Sequence, residues 1–290
     1  MSLTLQPLPP GVVDDAVMAA LDEDGASDDV TTRALVDSGQ WGRAVLIARD
    51  EGVIAGLPVA AAAMTAIDQT VSFDTLTEDG MRVPANTQLA EIEGPLHAIL
   101  SCERVALNFL QRMSGIATLT REFVDAVAGT RARILDTRKT TPGLRHLERY
   151  AVRAGGGANH RFNLASGVLI KDNHIAAVRQ AGIVDLAAVV ARARAASPHT
   201  LRIEIEVTNM EQLKEALEGK ADVILLDNMG VDEIRSCVQL VAGRALVEAS
   251  GGITLENVRA VADTGVDFIS IGRLTHSAPS VDISLEIGGA

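Results

Sequence analysis

A chain of 290 residues can bury a sizeable core and holds one large domain or two smaller ones. Its 38 Asp and Glu against 26 Lys and Arg give a net charge of −12, which argues against a general nucleic-acid binder, and 47% hydrophobic with 22% charged residues describes a globular chain rather than a disordered one. The two cysteines, Cys102 and Cys237, are too few and too far apart for a disulfide scaffold or a cysteine-rich zinc site, so a reducing cytoplasm is the expected location.

A helix is predicted over Val12–Leu21. Strands are predicted over Ala44–Ala48 and Thr87–Ile92, with turns around Glu51–Gly52 and Asp79–Gly80. The first basic residue is Arg33, so no export leader is expected. The run Val53–Ile67 carries Gly56, Pro58 and Thr65 and is flanked by Asp50, Glu51 and Asp68. It is too short and too broken to span a bilayer and reads as an alanine-rich packed helix. Helical periodicity then runs from Leu96 to Val127, with Gly115 as a candidate break.

From there the pattern becomes regular. Apolar runs at Arg133–Thr137, Gly167–Ile170, Leu201–Val207, Asp222–Leu226, Ala245–Glu248 and Asp267–Ile271 alternate with helical segments. Nearly continuous apolar strands separated by helices indicate a parallel sheet. Six such units favour a (β/α) barrel, with a doubly wound sheet as the alternative.

Charge is distributed unevenly. Between Arg131 and Lys171 nine Lys or Arg face two acids, Asp136 and Glu148, a local balance of +7 in a chain whose other 249 residues carry −19. A basic island in an acidic protein suits a small anionic ligand. For Arg145, Arg149 and Arg153, spaced by four on Leu144–Ala154, a solvated helix face competes with that reading. The chain has 22 Arg and only four Lys, two of which, Lys214 and Lys220, sit in a polar helix and its exit. Lys139 and Lys171 remain, and a lysine in an arginine-rich chain suggests a need for a compact, mobile ammonium.

These cations share an address with other polar groups. Arg138 and Lys139 follow the first run, and Lys171 the second. Glu206 is near the end of the third, Asp227 follows the fourth, Ser250-Gly251-Gly252 the fifth and Gly272-Arg273 the sixth. All fall at the carboxyl ends of predicted strands, where a β/α barrel assembles its active site. Ala249–Ile253, leading into a helix near Thr254, and Gly272–Ser277, with His276, are candidate phosphate loops, because glycines let backbone N–H groups approach an oxyanion. Tight turns with ordinary caps are the simpler alternative.

At Asp136-Thr137-Arg138-Lys139-Thr140-Thr141-Pro142-Gly143-Leu144-Arg145 the chain resembles the quinolinate phosphoribosyltransferase family. The likeness continues through Glu148–Arg161, Leu169–His174, Glu103–Arg112 with Ser114–Thr118, Glu204–Val207, Leu225–Met229, Ala249–Ile253 and Leu274–Ser277. It spans about Leu96 to Ile287 and, more weakly, the N-terminal part. The family usually has a Gly-Leu pair after the position of Arg161, then an Asp. Here Asn163 precedes Leu164, Ser166 stands near the place of the Asp, and Arg273 replaces a residue that is often small.

The resemblance implies an α/β protein: an N-terminal α/β sandwich domain over residues 1–115, an incomplete (β/α) barrel over 116–276, and a tail, 277–290, packed back on the first domain. It implies a homodimer with shared active sites, magnesium, and a decarboxylating transfer of phosphoribose from phosphoribosyl pyrophosphate to quinolinate, giving nicotinate mononucleotide, pyrophosphate and CO2 for NAD biosynthesis. Arg104 of the neighbouring subunit, Thr137, Arg138, His160, Arg161 and Lys171 would surround quinolinate. Lys139 and Lys171 would meet developing negative charge, and Glu206 and Asp227 would hold magnesium, directly or through water, or the ribose hydroxyls. Ser250, Gly251, Gly252, Gly272, Arg273 and His276 would hold the phosphoribosyl group. For Arg104 a surface ion pair with Glu103, for His160 a cap or core imidazole, and for the acids simple charge balance are the competing readings. No membrane or nucleic-acid partner is expected. Three rival functions are a related phosphoribosyltransferase acting without decarboxylation, a Schiff-base aldolase with Lys171 as nucleophile, and a non-catalytic phosphometabolite-binding protein.

Overall fold

The computed structural model describes residues 5–182 and 185–288, and the chain forms two compact units. The first comprises Met1–Arg121, Lys139–Gly156 and Arg273–Ala290, the second Glu122–Arg138 and Gly157–Gly272.

In the first unit, helices α1 (Pro10–Asp24), α2 (Val30–Leu35) and α3 (Leu57–Thr65) accompany strands β1 (Trp41–Ala48), β2 (Gly52–Val53), β3 (Ser72–Thr75), β4 (Arg82–Val83) and β5 (Thr87–Pro95). The strands of the main sheet run antiparallel in the order β12-β1-β5-β3, where β12 is Ile283–Ile287 near the C-terminus, and β2 pairs separately with β4. The alanine-rich run forms α3, with Val59, Ala60, Ala63 and Met64 fully buried. Its first turn is held by Asp79, whose carboxylate accepts the N–H groups of Gly56 (2.9 Å) and Leu57 (3.1 Å) and the Tyr150 hydroxyl (2.7 Å).

Helix α4 (Leu96–Ala126) is continuous for 31 residues. Gly115 does not break it. A Cβ there would lie 1.9 Å from the carbonyl oxygen of Pro279, so the glycine admits a close-passing backbone. Helix α5 (Arg145–Ala154) also departs from expectation. Arg149 is 7% exposed and Arg153 stacks 5.7 Å from the centroid of the Tyr150 ring, so this is not a solvated arginine face.

The second unit is built on six parallel strands: β6 (Arg133–Leu135), β7 (Val168–Ile170), β8 (Ile203–Val207), β9 (Val223–Asp227), β10 (Leu246–Ser250) and β11 (Phe268–Ser270). Their order is β6-β11-β10-β9-β8-β7, so β6 and β7 are both edges and the barrel is incomplete. The connecting helices are α6 (Asp172–Gln180), α7 (Leu186–Ala196), α8 (Met210–Glu218), α9 (Val231–Val241) and α10 (Val258–Ala262). The one-turn α11 (Arg273–His276) belongs to the first unit. Helix α10 starts four residues later than the sequence suggested, after a turn at Leu255–Asn257, so no helix N-terminus stands directly at Gly251-Gly252.

Register explains why these strands look apolar yet carry chemistry. Ile134, Ile203, Ile205, Ile224, Leu226, Val247 and Ile269 share one face and are buried, with α7, α8 and α9 packed on β8 and β10. Each such side chain contributes roughly 2 kcal/mol of apolar burial. The alternate residues share the other face: Glu204 and Glu206 on β8, Leu225 and Asp227 on β9, Glu248 and Ser250 on β10, Ser270 on β11. Strand periodicity thus separates a helix-covered apolar face from a polar interior. Among the described residues no helix is long and apolar enough to cross a membrane.

Candidate active site

The open edge of β6 is occupied by the segment 157–161. Ala158 bridges Leu135 in parallel, its N–H donates to Ile134 O (2.8 Å), and its carbonyl accepts from Asp136 N (3.2 Å). Asp136 is fully buried just beyond β6 and secures this strap. Its carboxylate accepts the His160 N–H and the Asn159 side-chain N–H, both at 2.7 Å. Arg161 ends the strap and donates from Nη1 to Gly167 O (2.9 Å), beside β7.

This places the His160 ring inside the sheet's polar face. Its Nδ1 accepts the Arg161 N–H (2.7 Å), and its Nε2 lies 3.2 Å from Glu204 and 3.6 Å from Glu248. Burial opposes an imidazolium here, but the Glu204 hydrogen bond and the charges of Glu248, Glu204 and Asp136 outweigh it and raise the ring's pKa. Burial, then the Glu204 charge, pushes the Glu248 carboxyl above its ordinary range. The three groups lie within 4.8 Å of one another, as metal ligands would. In the neutral ring, where Nδ1 accepts the Arg161 N–H, Nε2 carries the proton and offers a metal no lone pair. A cavity of about 410 Å³ adjoins the cluster, lined by Arg161, Arg202, Glu204, Val223, Glu248 and Phe268.

Arg138 and Arg161 form the cationic feature of the second unit. Burial and the neighbouring Arg138 charge lower the Arg161 pKa, with Glu204 opposing them. The buried Arg138 Nε has no hydrogen-bond partner among the described residues. Two half-buried guanidinium groups in mutual repulsion, one with a donor unused among the described residues, offer the geometry an anion would relieve.

On the rim, Lys171 Nζ donates to Glu206 Oε2 (3.1 Å). The lysine side chain is 48% exposed and ion-paired, unlike the desolvated amine of a Schiff-base enzyme. Asp227, one pleat further on β9, accepts from Asn228 Nδ2 (2.7 Å). Asn228 has a left-handed φ of +55° and donates its N–H to Ser250 O (2.9 Å). A Cβ on Gly251, itself at φ +86°, would meet Asn228 Oδ1 at 2.2 Å, so only glycine fits that turn. Thr137 lies half-buried beyond β6, and Gly272 follows β11.

Four candidates belong to the first unit. Lys139, Arg273 and His276 are exposed, with the His276 ring 2.6 Å from Ser277 Oγ. Arg104 is exposed on α4, and no ion pair with Glu103 forms among the described residues.

The sequence profile of the quinolinate phosphoribosyl transferase C-terminal domain matches residues 116–286, and that of its N-terminal domain residues 29–114. The chain belongs to the quinolinate phosphoribosyltransferase family. It is 44% identical over 265 residues to the probable nicotinate-nucleotide pyrophosphorylase [carboxylating] of Bacillus subtilis, covering 91% of this chain and 90% of the relative. With the nicotinate-nucleotide pyrophosphorylase [carboxylating] of Mycobacterium leprae it shares 43% identity over 279 residues, 94% of this chain and 96% of the other. The solved nicotinate-nucleotide pyrophosphorylase of Francisella tularensis superposes with a TM-score of 0.91 at 35% identity, covering 99% of this chain and 100% of that one.

Within this family's two-domain architecture, several residues that the motifs and predicted strands contained without a role now have one. Asp136 and Asn159 hold the strap, Glu204 and Glu248 receive His160, and Asn228 seats Asp227 against Gly251. Strand parity was the available signal, since Glu204 alternates with Glu206 and Glu248 with Ser250.

Proposed function

We propose that this chain transfers phosphoribose from phosphoribosyl pyrophosphate to quinolinate with loss of CO2, giving nicotinate mononucleotide and pyrophosphate for NAD biosynthesis. The Arg138–Arg161 pair carries the reading. A vicinal dicarboxylate relieves the repulsion between the two guanidinium groups and takes up the unused Arg138 donor. Lys171, adjacent in the chain to β7, adds a third cation, and Thr137 a hydroxyl. His160 supports Arg161 from below rather than through a free ring nitrogen, because its Nε2 is directed at Glu204.

The pyridine nitrogen supplies the electron pair that forms the bond to the anomeric carbon. The carbon–oxygen bond to pyrophosphate breaks, and that pair leaves with pyrophosphate. The new pyridinium withdraws electrons from the 2-carboxylate. Its carbon–carbon bond cleaves to CO2, and the ring carbon takes a proton from solvent. No protein nucleophile is required. The chain orients reactants and places fixed charge where charge develops. Lys139 and Lys171 face the leaving pyrophosphate and the carboxylates. Glu206 and Asp227 favour the cationic ribosyl centre. Ser250, Gly251, Gly252 and Gly272, with Arg273 and His276, hold the phosphoribosyl phosphate.

Glu206 and Asp227 also suit magnesium. They are hard oxygen donors on one face of adjacent strands, and among the described residues each engages one oxygen with a neighbour while the other accepts no hydrogen bond. When bound, the ion would neutralise pyrophosphate charge. The active form is a homodimer in which the partner subunit's Arg104 completes the quinolinate site, in keeping with its exposure on α4. Two buried, unbridged cysteines fit a cytoplasmic location.

The deciding experiment incubates the protein with quinolinate, phosphoribosyl pyrophosphate and magnesium and quantifies mononucleotide and CO2 together. Equal yields of both are expected. Turnover of nicotinate in place of quinolinate, or mononucleotide without CO2, overturns the assignment.

A further inference from the structure

Helices α4 and α5 contribute an ion pair, its carboxylate buried and its guanidinium half-buried, that the chemistry above does not use. Glu148, 1% exposed, accepts from Arg112 Nη2 (3.0 Å), from the Thr141 N–H (3.0 Å) and from the Thr141 hydroxyl (2.8 Å). The same guanidinium donates to the carbonyl oxygens of Ala278, from Nη1 at 3.0 Å, and of Thr275, from Nη2. Thr275, fully buried, donates its own hydroxyl to the carbonyl of Lys139 (2.8 Å). These contacts close a ring. One arc is the segment Lys139–Thr141, the other the segment Thr275–Ala278, and Arg112 with Glu148 ties them together.

An ion pair with a buried carboxylate is a poor device for stability alone, because desolvating that charge offsets the attraction to its partner. It is a good device for geometry. A planar guanidinium with donors in fixed directions can hold two carbonyls and a carboxylate at set distances from one another. What it holds here is the backbone of the two first-unit segments that carry Lys139 and His276.

We propose that Arg112 and Glu148 are positioning residues that present Lys139 and the 273–277 turn to the ribosyl donor by fixing the Lys139–Thr141 segment against the Arg273–Ala278 segment. The proposal rests on the assignment of Lys139 and the 273–277 turn to the donor. Neither Arg112 nor Glu148 touches substrate in this account.

The test compares Arg112→Lys, Glu148→Gln and Lys139→Ala by steady-state kinetics with each substrate varied. Arg112→Lys keeps the charge and loses the fork. It should raise the donor KM by about tenfold, the loss of one charge-assisted hydrogen bond, and leave the quinolinate KM within about twofold. Glu148→Gln, which keeps an acceptor for Thr141, should show a smaller rise of the same kind. A clamp with a merely structural role would reduce the active fraction, and so kcat, with both KM values unchanged, and that result overturns the proposal. Lys139→Ala separates the two claims. If it raises the donor KM while Arg112→Lys does not, the coupling alone is wrong. If Lys139→Ala leaves the donor KM untouched, the donor assignment fails and the proposal falls with it. Should Arg112→Lys not fold, Thr275→Val removes only the hydroxyl link to Lys139. It is then expected to raise the donor KM selectively, and equal KM values in it and wild type refute the coupling.

Discussion

Asp136 and His160 are joined through the backbone: the buried carboxylate accepts the His160 N–H at 2.7 Å, which sets where Arg161 stands. The second oxygen holds Asn159, so one side chain fixes two consecutive residues along the open edge of the barrel. Asp136→Ala leaves two donors without their acceptor, at a cost of roughly 2–5 kcal/mol. Denaturant unfolding should show that loss, and quinolinate affinity should fall. Asp136→Asn retains one acceptor and should lie between. Unaltered quinolinate affinity in a folded Asp136→Ala protein would show that the strap does not depend on this carboxylate.

Much of this architecture is legible in the chain because β8, β9 and β10 repeat one physical pattern. Their apolar residues mark the strands, and the polar residues at their carboxyl ends mark the rim. The same pattern conceals the interior. Glu204 and Glu248 lie within apolar runs and become visible only once strand parity places them opposite His160. Gly115 misleads for a related reason. A glycine in a helical stretch reads as a break, and only the passing carbonyl of Pro279 shows that it serves a long-range contact. Arg149 misleads likewise, because spacing by four says that arginines share a face but not whether that face is covered.

Lys171 pairs with Glu206 and is half exposed, so its removal should spare the fold. Lys171→Ala is expected to lower kcat/KM by about 100-fold or more, as loss of a charge at a developing anion does. Lys139→Ala should behave similarly. Borohydride treatment with quinolinate and donor should add no mass to the wild-type chain. A stable adduct at Lys171 would establish Schiff-base chemistry instead.

Glu206 and Asp227 would repel a dicarboxylate but suit ribose hydroxyls, magnesium and a ribosyl cation. Glu206→Gln and Asp227→Asn keep shape and remove charge. Donor use and magnesium dependence should weaken by about tenfold or more, with calorimetric quinolinate affinity little changed. The opposite pattern, with quinolinate affinity collapsing at normal donor and magnesium dependence, would mean that these acids position the substrate-binding cations.

The buried Glu248 carboxyl supplies a pH signature. Its pKa is raised from an ordinary value of 4.5, first by burial and then by Glu204. The native state therefore holds a proton that the unfolded chain has released, and stability falls as pH rises from 4.5 towards the folded-state value. The raised His160 pKa acts in the same direction, its contribution being complete below 6.5 and lost through its own folded-state value. Glu248→Gln removes the carboxyl's part and, with it, one of the charges that raise the imidazole. Urea midpoints followed between about pH 5 and pH 8 should fall less steeply for the variant than for wild type. Parallel curves would show that Glu248 ionises in the native state as it does in the unfolded one.

Arg104 is exposed on α4, while Arg138 lies beyond β6 in the second unit. If the quinolinate site takes Arg104 from a second copy, Arg104→Ala and Arg138→Ala should each be inactive alone and complement when mixed. A mixed dimer then has one site lacking both arginines and one with both intact, so activity should reappear as subunits exchange. Native mass spectrometry can count the mixed dimers, and recovered turnover should rise in proportion to their number. Mixed dimers without recovered turnover would mean that Arg104 serves its own subunit or takes no part in the site. A protein that stays monomeric in catalytic buffer yet turns over quinolinate would remove the shared site altogether.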